Sequence, residues 1–418
     1  MTVEAPASPK RDGEGAIVFV CAAMLIDTIS FGLLMPVLPP LIQELTGQTL
    51  SEASATAGWL FVTFAAFQFF AGPVMGNLSD RFGRRPILLA SMAAFFVNYT
   101  LMGFADEIAL LFIGRAITGA AGAIFAPANA YVADVTPPER RAQRFALIGA
   151  SFGAGFILGP AVGGLLGGLD PRVPFFVAAG LALLNFVLGW FVLPESLPPE
   201  RRRAFDWRRA NPIGALLSLR KRPEVLTIVA AIFLWNFAFQ VYPATWPFFT
   251  MLQFDWGTTA IGFSLAYSGI IMVIMQGGFT GRIVRAVGER TAVVLAMISS
   301  ILGMIVASVA SAGWMLYLSS TIACLQGLAG PAMNAIITSR TPADQQGELQ
   351  GGVASFNGLA AIFGPLVLTQ TLSHFTAPEA PVHFAGAAFA LSAAISLGAL
   401  GVFLWATRDF RRLAPAPT

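Results

Sequence analysis

Twelve apolar runs, each about long enough to cross a bilayer, alternate with short polar breaks along this chain. They lie roughly at 16–38, 56–76, 86–104, 109–132, 143–166 and 174–193, then at 224–248, 258–281, 290–310, 313–337, 348–371 and 384–406. In lipid a run of this kind has to satisfy its own backbone hydrogen bonds, so each is expected to be an α-helix. Only 11% of the residues are charged and 56% are hydrophobic, where a soluble domain carries about 25% charge. The fold class is therefore an all-α membrane protein with twelve transmembrane helices.

Charge sets the expected orientation. With both termini cytoplasmic, 23 of the 25 Lys and Arg fall on the cytoplasmic side, as the positive-inside rule asks. Arg172 falls in an outer loop and Arg115 inside span 4, while the outer loops carry acids such as Glu44, Asp106, Asp170 and Asp255. The net charge of +3 thus follows topology and implies no nucleic-acid partner. The polar stretch Met1–Gly15 leads into a full-length span without a cleavage-like site, so no cleavable signal is expected. Cys21 and Cys324 lie within apolar runs, which suggests neither a disulfide framework nor a metal site.

The halves repeat. A shift of 205 residues superposes Gly76 on Gly281, Gly83 on Gly288, Gly122 on Gly327 and Gly159-Pro160 on Gly364-Pro365. Two six-helix bundles of like orientation are expected, with boundaries at 1–193 and 224–418 and a cytoplasmic linker over 194–223. The linker piece Phe205–Leu219 is amphipathic and suits the membrane surface. Paired bundles of this kind place a substrate site between them near the midplane and work by rocking.

Between spans 2 and 3 the chain reads GNLSDRFGRRP over residues 76–86. Gly76 and Gly83 are expected to let the chain reverse, and Asp80, Arg81, Arg84 and Arg85 then cluster at one face. One reading is a positive-inside anchor. The pattern is more specific, however, and resembles the loop between helices 2 and 3 of the major facilitator superfamily. The resemblance implies a gating charge network for Asp80, Arg81, Arg84 and Arg85 that holds the state closed to the cytoplasm. Span 5 carries Gly155, Gly159, Pro160 and Gly163, similar to the helix-5 motif of drug/proton antiporters, with Ala146 in place of its usual first Gly. Generic close packing of small residues four apart is the plainer account.

Longer stretches narrow the resemblance to the tetracycline-efflux branch: DTISFGLLMPVLP from Asp27 to Pro39, GASFGAG from Gly149, IGFSLA from Ile261 and QGELQG from Gln346. Three positions depart from it. The acid that branch carries in helix 3 aligns with Asn98, its helix-8 His with Met272, and its helix-9 Asp with Ser299 or Ser300. Tetracycline is accordingly expected to be a poor substrate.

Asp27 is the acid deepest in a span and Arg115 the base deepest in one. Burying either alone is costly, so each is expected to face a partner or a water-filled cavity. The functional reading is that Asp27 takes up a proton in alternation with substrate while Arg115 tunes it. The plainer reading is a static ion pair joining spans 1 and 4. Candidates for the substrate cavity are Phe31, Gln68, Asn98, Trp235, Asn236, Gln240, Gln276, Asn334 and Asn357, with Phe64, Phe67, Phe239, Tyr242, Trp246 and Tyr267 as further apolar wall. Asn236 and Gln240 are one turn apart and share a helix face.

No Walker sequence, Ser-His-Asp grouping or His/Cys cluster is present, so no enzyme, no catalytic residue, no cofactor and no metal are expected. The function expected is proton-coupled efflux of small amphipathic compounds by alternating access, by a monomer in the bacterial cytoplasmic (inner) membrane. The alternative is a facilitator or carrier of lipid-like substrates without proton exchange.

Overall fold

The computed structural model describes residues 13–206, 214, 223–342 and 345–408. Within them lie twelve helices long and apolar enough to cross a membrane. In the first half these are α1 (Ile17–Leu34), α2 (Leu50–Phe82), α3 (Arg84–Gly103), α4 (Ile108–Val135), α5 (Pro138–Gly167) and α6 (Val173–Val192). In the second they are α7 (Val225–Phe254), α8 (Thr258–Val287), α9 (Glu289–Ser308), α10 (Trp314–Ser339), α11 (Gln346–Thr376) and α12 (Ala387–Ala406). The reading of Phe205–Leu219 as an amphipathic surface helix falls mostly on residues outside those described.

The helices run longer than the apolar runs that mark them. α2 begins six residues before the expected span because Thr49 and Glu52 form a capping box, each side chain accepting from the other's backbone N–H. At its far end α2 continues to Phe82 and α3 starts at Arg84, so one residue makes the whole turn. That residue is Gly83, at φ +106°, a conformation L side chains rarely adopt. The expected part of Gly76 in this reversal is therefore corrected. Gly76 lies inside α2, and a Cβ there would touch nothing within 4 Å. Gly288, 205 residues after Gly83, makes the matching turn between α8 and α9 at φ +79°.

The internal repeat shows again in where helices break. α4 contains a 3-10 turn at Gly122–Ile124, and α10 one at Ala323–Leu328 around the equivalent Gly327. α7 is interrupted at Gln240, just before Pro243. Among the described helices, α8 alone carries a π-helical turn, Met275–Phe279.

The halves meet toward one end of the bundle. It is the end that carries Glu44, Glu52 and Asp170, opposite to the end that carries Arg84, and we call the two the acidic and the basic end. There the Ser51 hydroxyl of α2 donates to the Ser373 carbonyl of α11 at 2.8 Å and lies 2.9 Å from the Thr376 hydroxyl. Thr258 and Thr259 of α8 both donate to the Gly164 carbonyl of α5 at 3.1 Å. Gly262 lies against the Pro160 carbonyl with no room for a Cβ. At the basic end the closing segments of α4, α8 and α10 pack within their own halves. The hydrophobic side chains of Phe145 and Phe152 on α5 and Ile274 and Phe279 on α8 are exposed there. The molecule is thus closed at the acidic end and open toward the basic one.

Candidate functional site

A cavity of about 230 Å³ lies inside the first half. Its walls are mostly rings: Phe31 of α1, Phe64 of α2, Phe95 and Tyr99 of α3, and Phe152 of α5. Polar side chains join them at the lining: Asp27, Thr28, Gln68 and Thr118. α1 is held in place by close packing on α5. Gly155 sits on Thr28, Gly159 on the Ile29 carbonyl and Gly32, and Gly163 on the Leu33 backbone, each too near for a Cβ. The helix-5 motif therefore joins α5 to α1 within one half through its glycines. Pro160 in the same helix sets its ring against Gly32 of α1 and its carbonyl against Gly262 of α8 across the seam.

Asn185 of α6 anchors Asp27. Its Nδ2 donates to Asp27 Oδ1 at 3.1 Å and to the Ala23 carbonyl at 3.3 Å. Asp27 Oδ2 has no hydrogen-bond partner among the described residues. Here the expected closeness of Arg115 is corrected. The Arg115 guanidinium lies over the Phe61 ring, 5.7 Å from its centroid, and its Nε is unpartnered among the described residues. Arg115 is only 4% exposed and lines a small gap that Pro243, Ala244 and Phe248 of α7 close from the other half. The cause is rotational. Arg115 lies near the acidic end of α4 and faces the seam between halves, whereas Asp27 faces the interior of its own half. Tyr99, 3% exposed, lines the same cavity as Asp27. Sequence reasoning singles out neither Asn185 nor Tyr99, although an Asn in the apolar run of span 6 is a visible signal.

The other candidates for the substrate cavity scatter. Gln68 donates to the Gly122 carbonyl at 3.4 Å, at the 3-10 turn of α4, and shares the Asp27 cavity with Phe31. Asn98 does not reach it. It is wholly buried between α3 and α4, where its carboxamide oxygen occupies the space a side chain at Gly114 would need. Trp235 is likewise core, 5% exposed among apolar residues of the second half, so both are corrected as lining residues. Asn236 donates to Asn357 of α11 at 3.0 Å, and Gln240, one turn on, packs against Gly364 of the same helix. Asn334 accepts from Gln350 at 3.0 Å, and Gln276 packs against Gly327.

At the basic end the turn at Gly83 organises a second constellation. Arg84 Nη1 pairs with Asp80 at 2.5 Å and its Nε with Asp134 of α4 at 3.4 Å. The Ser196 hydroxyl donates to the same Asp134 oxygen at 3.2 Å. Arg81 points outward, exposed. Arg85 turns the other way, its guanidinium 5.7 Å from the Trp190 ring and donating to the Trp190 carbonyl at 2.6 Å. The chain after α6 folds back under this turn. Glu195 accepts from the Arg84 backbone N–H at 2.8 Å, and the Arg203 N–H donates to the Asp80 carbonyl at 3.0 Å. Asn77 closes the strap by donating to the Asp206 carbonyl at 2.6 Å and accepting from its N–H at 3.3 Å. Glu195, Asn77 and Asp206 are members that sequence reasoning does not single out.

The Major Facilitator Superfamily profile matches residues 20–365. The chain is 36% identical over 354 residues to the class C tetracycline resistance protein of Escherichia coli, covering 85% of this chain and 89% of that one. It is 28% identical over 355 residues to multidrug resistance protein 2 of Bacillus subtilis (strain 168), covering 83% and 86%. Among solved structures it superposes on the nucleoside transporter NupG with a TM-score of 0.77 at 13% identity, over 94% of this chain and 99% of that one.

Proposed function

The chain belongs to the major facilitator superfamily and is related to the tetracycline resistance proteins, and from that premise we propose that it exports small amphipathic compounds from bacteria in exchange for protons. Both termini are then cytoplasmic, the basic end faces the cytoplasm, and the membrane is the bacterial inner one. The observation that carries this reading is Asp27: an acid inside a span, in a ring-walled cavity, with one carboxylate oxygen unpartnered among the described residues. Such a group exchanges a proton when the cavity changes access or occupant. The aromatic lining suits amphipathic compounds with flat apolar parts.

The substrate range is tested in proteoliposomes with an imposed pH gradient. Tetracycline with magnesium is expected to move at least roughly tenfold more slowly than an uncharged lipophilic compound, the effect of losing one charge-assisted contact of about 1.5–3 kcal/mol. The three departures motivate this. Asn98 is fully buried, and Met272 lines a cavity with no charged residue among its described lining. At the third position the Ser299 hydroxyl is taken by the Ile322 carbonyl and the Ser300 hydroxyl lies 3.3 Å from Gln326. Equal rates for the two would refute the stated range. Transport of both without any response to the gradient would favour the facilitator reading.

On this reading the strap at the basic end is a gating element. Its bonds form within the first half while that end is open, so the expectation that the network belongs to the state closed to the cytoplasm is corrected. Asp80→Asn keeps the main-chain bond from Arg203 but removes one of the two charge partners of Arg84, leaving Asp134. For a partly exposed pair the change is about 1 kcal/mol, roughly fivefold in the balance of conformers. Transport should slow by a similar factor with substrate Kd unchanged. Unaltered transport and unaltered conformer populations would leave the turn a topology anchor.

A further inference from the structure

A second cavity, of about 110 Å³, lies against the second half, and none of the described residues that line it carries a formal charge. Three rings of α7 form one wall, with Phe239 and Tyr242 at 5.6 Å between centroids and Tyr242 and Trp246 at 6.0 Å. Trp246 presents its ring rather than its polar edge, because its Nε1 donates to Ser264 at 3.0 Å. Opposite, the hydroxyls of Ser268 and Ser320 satisfy each other at 2.9 Å. Gln326 differs. Its Oε1 is held by the Ser300 hydroxyl, which leaves the amide nitrogen as the donor of that side chain at the cavity. Met272 and Cys324 complete a soft, polarisable lining. Met35, in the turn after α1, and Phe156 of α5 close the cavity from the first half.

Resting on the transport reading, we propose that this cavity is a second, uncharged subsite that takes one aromatic ring bearing an acceptor oxygen, as in an aryl ketone, with Gln326 as the donor. The volume is of the order that holds a single ring, since an apolar protein cavity of about 150 Å³ takes up benzene. Two of its walls belong to the first half, so the subsite is complete only while the halves meet at the acidic end. Parting there removes Met35 and Phe156 and releases the occupant. The Asp27 cavity handles charge, and this one handles shape and a neutral hydrogen bond.

Benzophenone, an uncharged aryl ketone that attaches to nearby C–H groups on irradiation, is the probe, used on the purified full-length protein. Mass spectrometry should find the label on peptides containing Met272 or Cys324. Diphenylmethane, the oxygen-free analogue, should compete roughly fivefold less well than unlabelled benzophenone, the effect of one neutral hydrogen bond. Gln326→Leu should remove that difference, and Cys324→Phe, which fills the cavity with a ring, should abolish the label there. Asp27→Asn should leave labelling intact while it stops pH-driven export, so the two readings fail separately. Labelling unchanged in both Gln326→Leu and Cys324→Phe would overturn the proposal. So would equal labelling by benzophenone carrying a trimethylammonium group, or no label at these peptides in a wild type that still exports.

Discussion

Proteoliposomes containing Asp27→Asn and given a pH gradient bring substrate only to equal concentrations on the two sides, whereas the wild type concentrates it. One proton exchanged across a one-unit gradient supplies about 1.4 kcal/mol, a factor of roughly ten in the substrate ratio, and the variant should lose all of it. The substitution is gentle on the fold. The Asn oxygen can still accept from Asn185, which sits 3.1 Å from Asp27 Oδ1 in the wild type, and the cavity volume hardly changes. Exchange of labelled for unlabelled substrate across a membrane without a gradient should therefore persist, and its rate should become independent of pH. An Asn variant that accumulates substrate as the wild type does would move proton coupling away from α1. Asp134 at the basic rim, beside Arg84, is then the next acid to test.

Gly262→Val has a comparable effect by a different route. Gly262 of α8 lies against the Pro160 carbonyl, and a Cβ added to it would fall 3.0 Å from the Gly164 Cα. Backbone, not a flexible side chain, blocks the space. Overpacking of this kind costs about 1–3 kcal/mol, which shifts a two-state balance by roughly 5- to 150-fold. The halves should no longer close at the acidic end, and export should fall at least about tenfold. The readout is the Ser51→Cys thiol, at a position 4% exposed beneath the seam, probed with a membrane-impermeant maleimide from outside. It should react in Gly262→Val and stay protected in Gly180→Val, because a Cβ at Gly180 meets nothing within 4 Å. Full export together with an unreactive thiol in the Ser51→Cys, Gly262→Val double variant would show that the seam tolerates a side chain.

Periodicity and glycine chemistry make much of the fold legible. Apolar length marks a span regardless of what it packs on, and Gly83 and Gly288 stand at the same place in each copy because both turns need positive φ. The ends of the helices are less legible. α2 overruns its apolar core at both ends, into a capping box on one side and into polar residues on the other. The site is legible only in part, for a geometrical reason. Asp27 is conspicuous as an acid in a span, but whether it meets Arg115 or Asn185 depends on helix rotation and on which half each residue faces. Nothing local encodes that Arg115 should lie beside Pro243 and Ala244, more than a hundred residues away. The strap from Asn77 to Asp206 is hidden similarly, since two polar residues at helix margins look like ordinary solvated ones.

The wide turn at Met275–Phe279 sets the winding of the last two turns of α8. The equivalent stretch of α2, Phe70–Val74, is ordinary α-helix, so beyond this point the two copies are out of phase. Rewinding the wide turn would spin Thr280–Val287 by about 100°, one residue's worth of α-helical rotation, with an axial shift of only ~1.5 Å. Arg282 and Arg285 would swing to a new azimuth while Gly288 stayed nearly in place. Arg282 and Arg285 thus stand at an azimuth that an unbroken α-helix would not give them, whereas the equivalent turns of α2 are strapped down at Asp80.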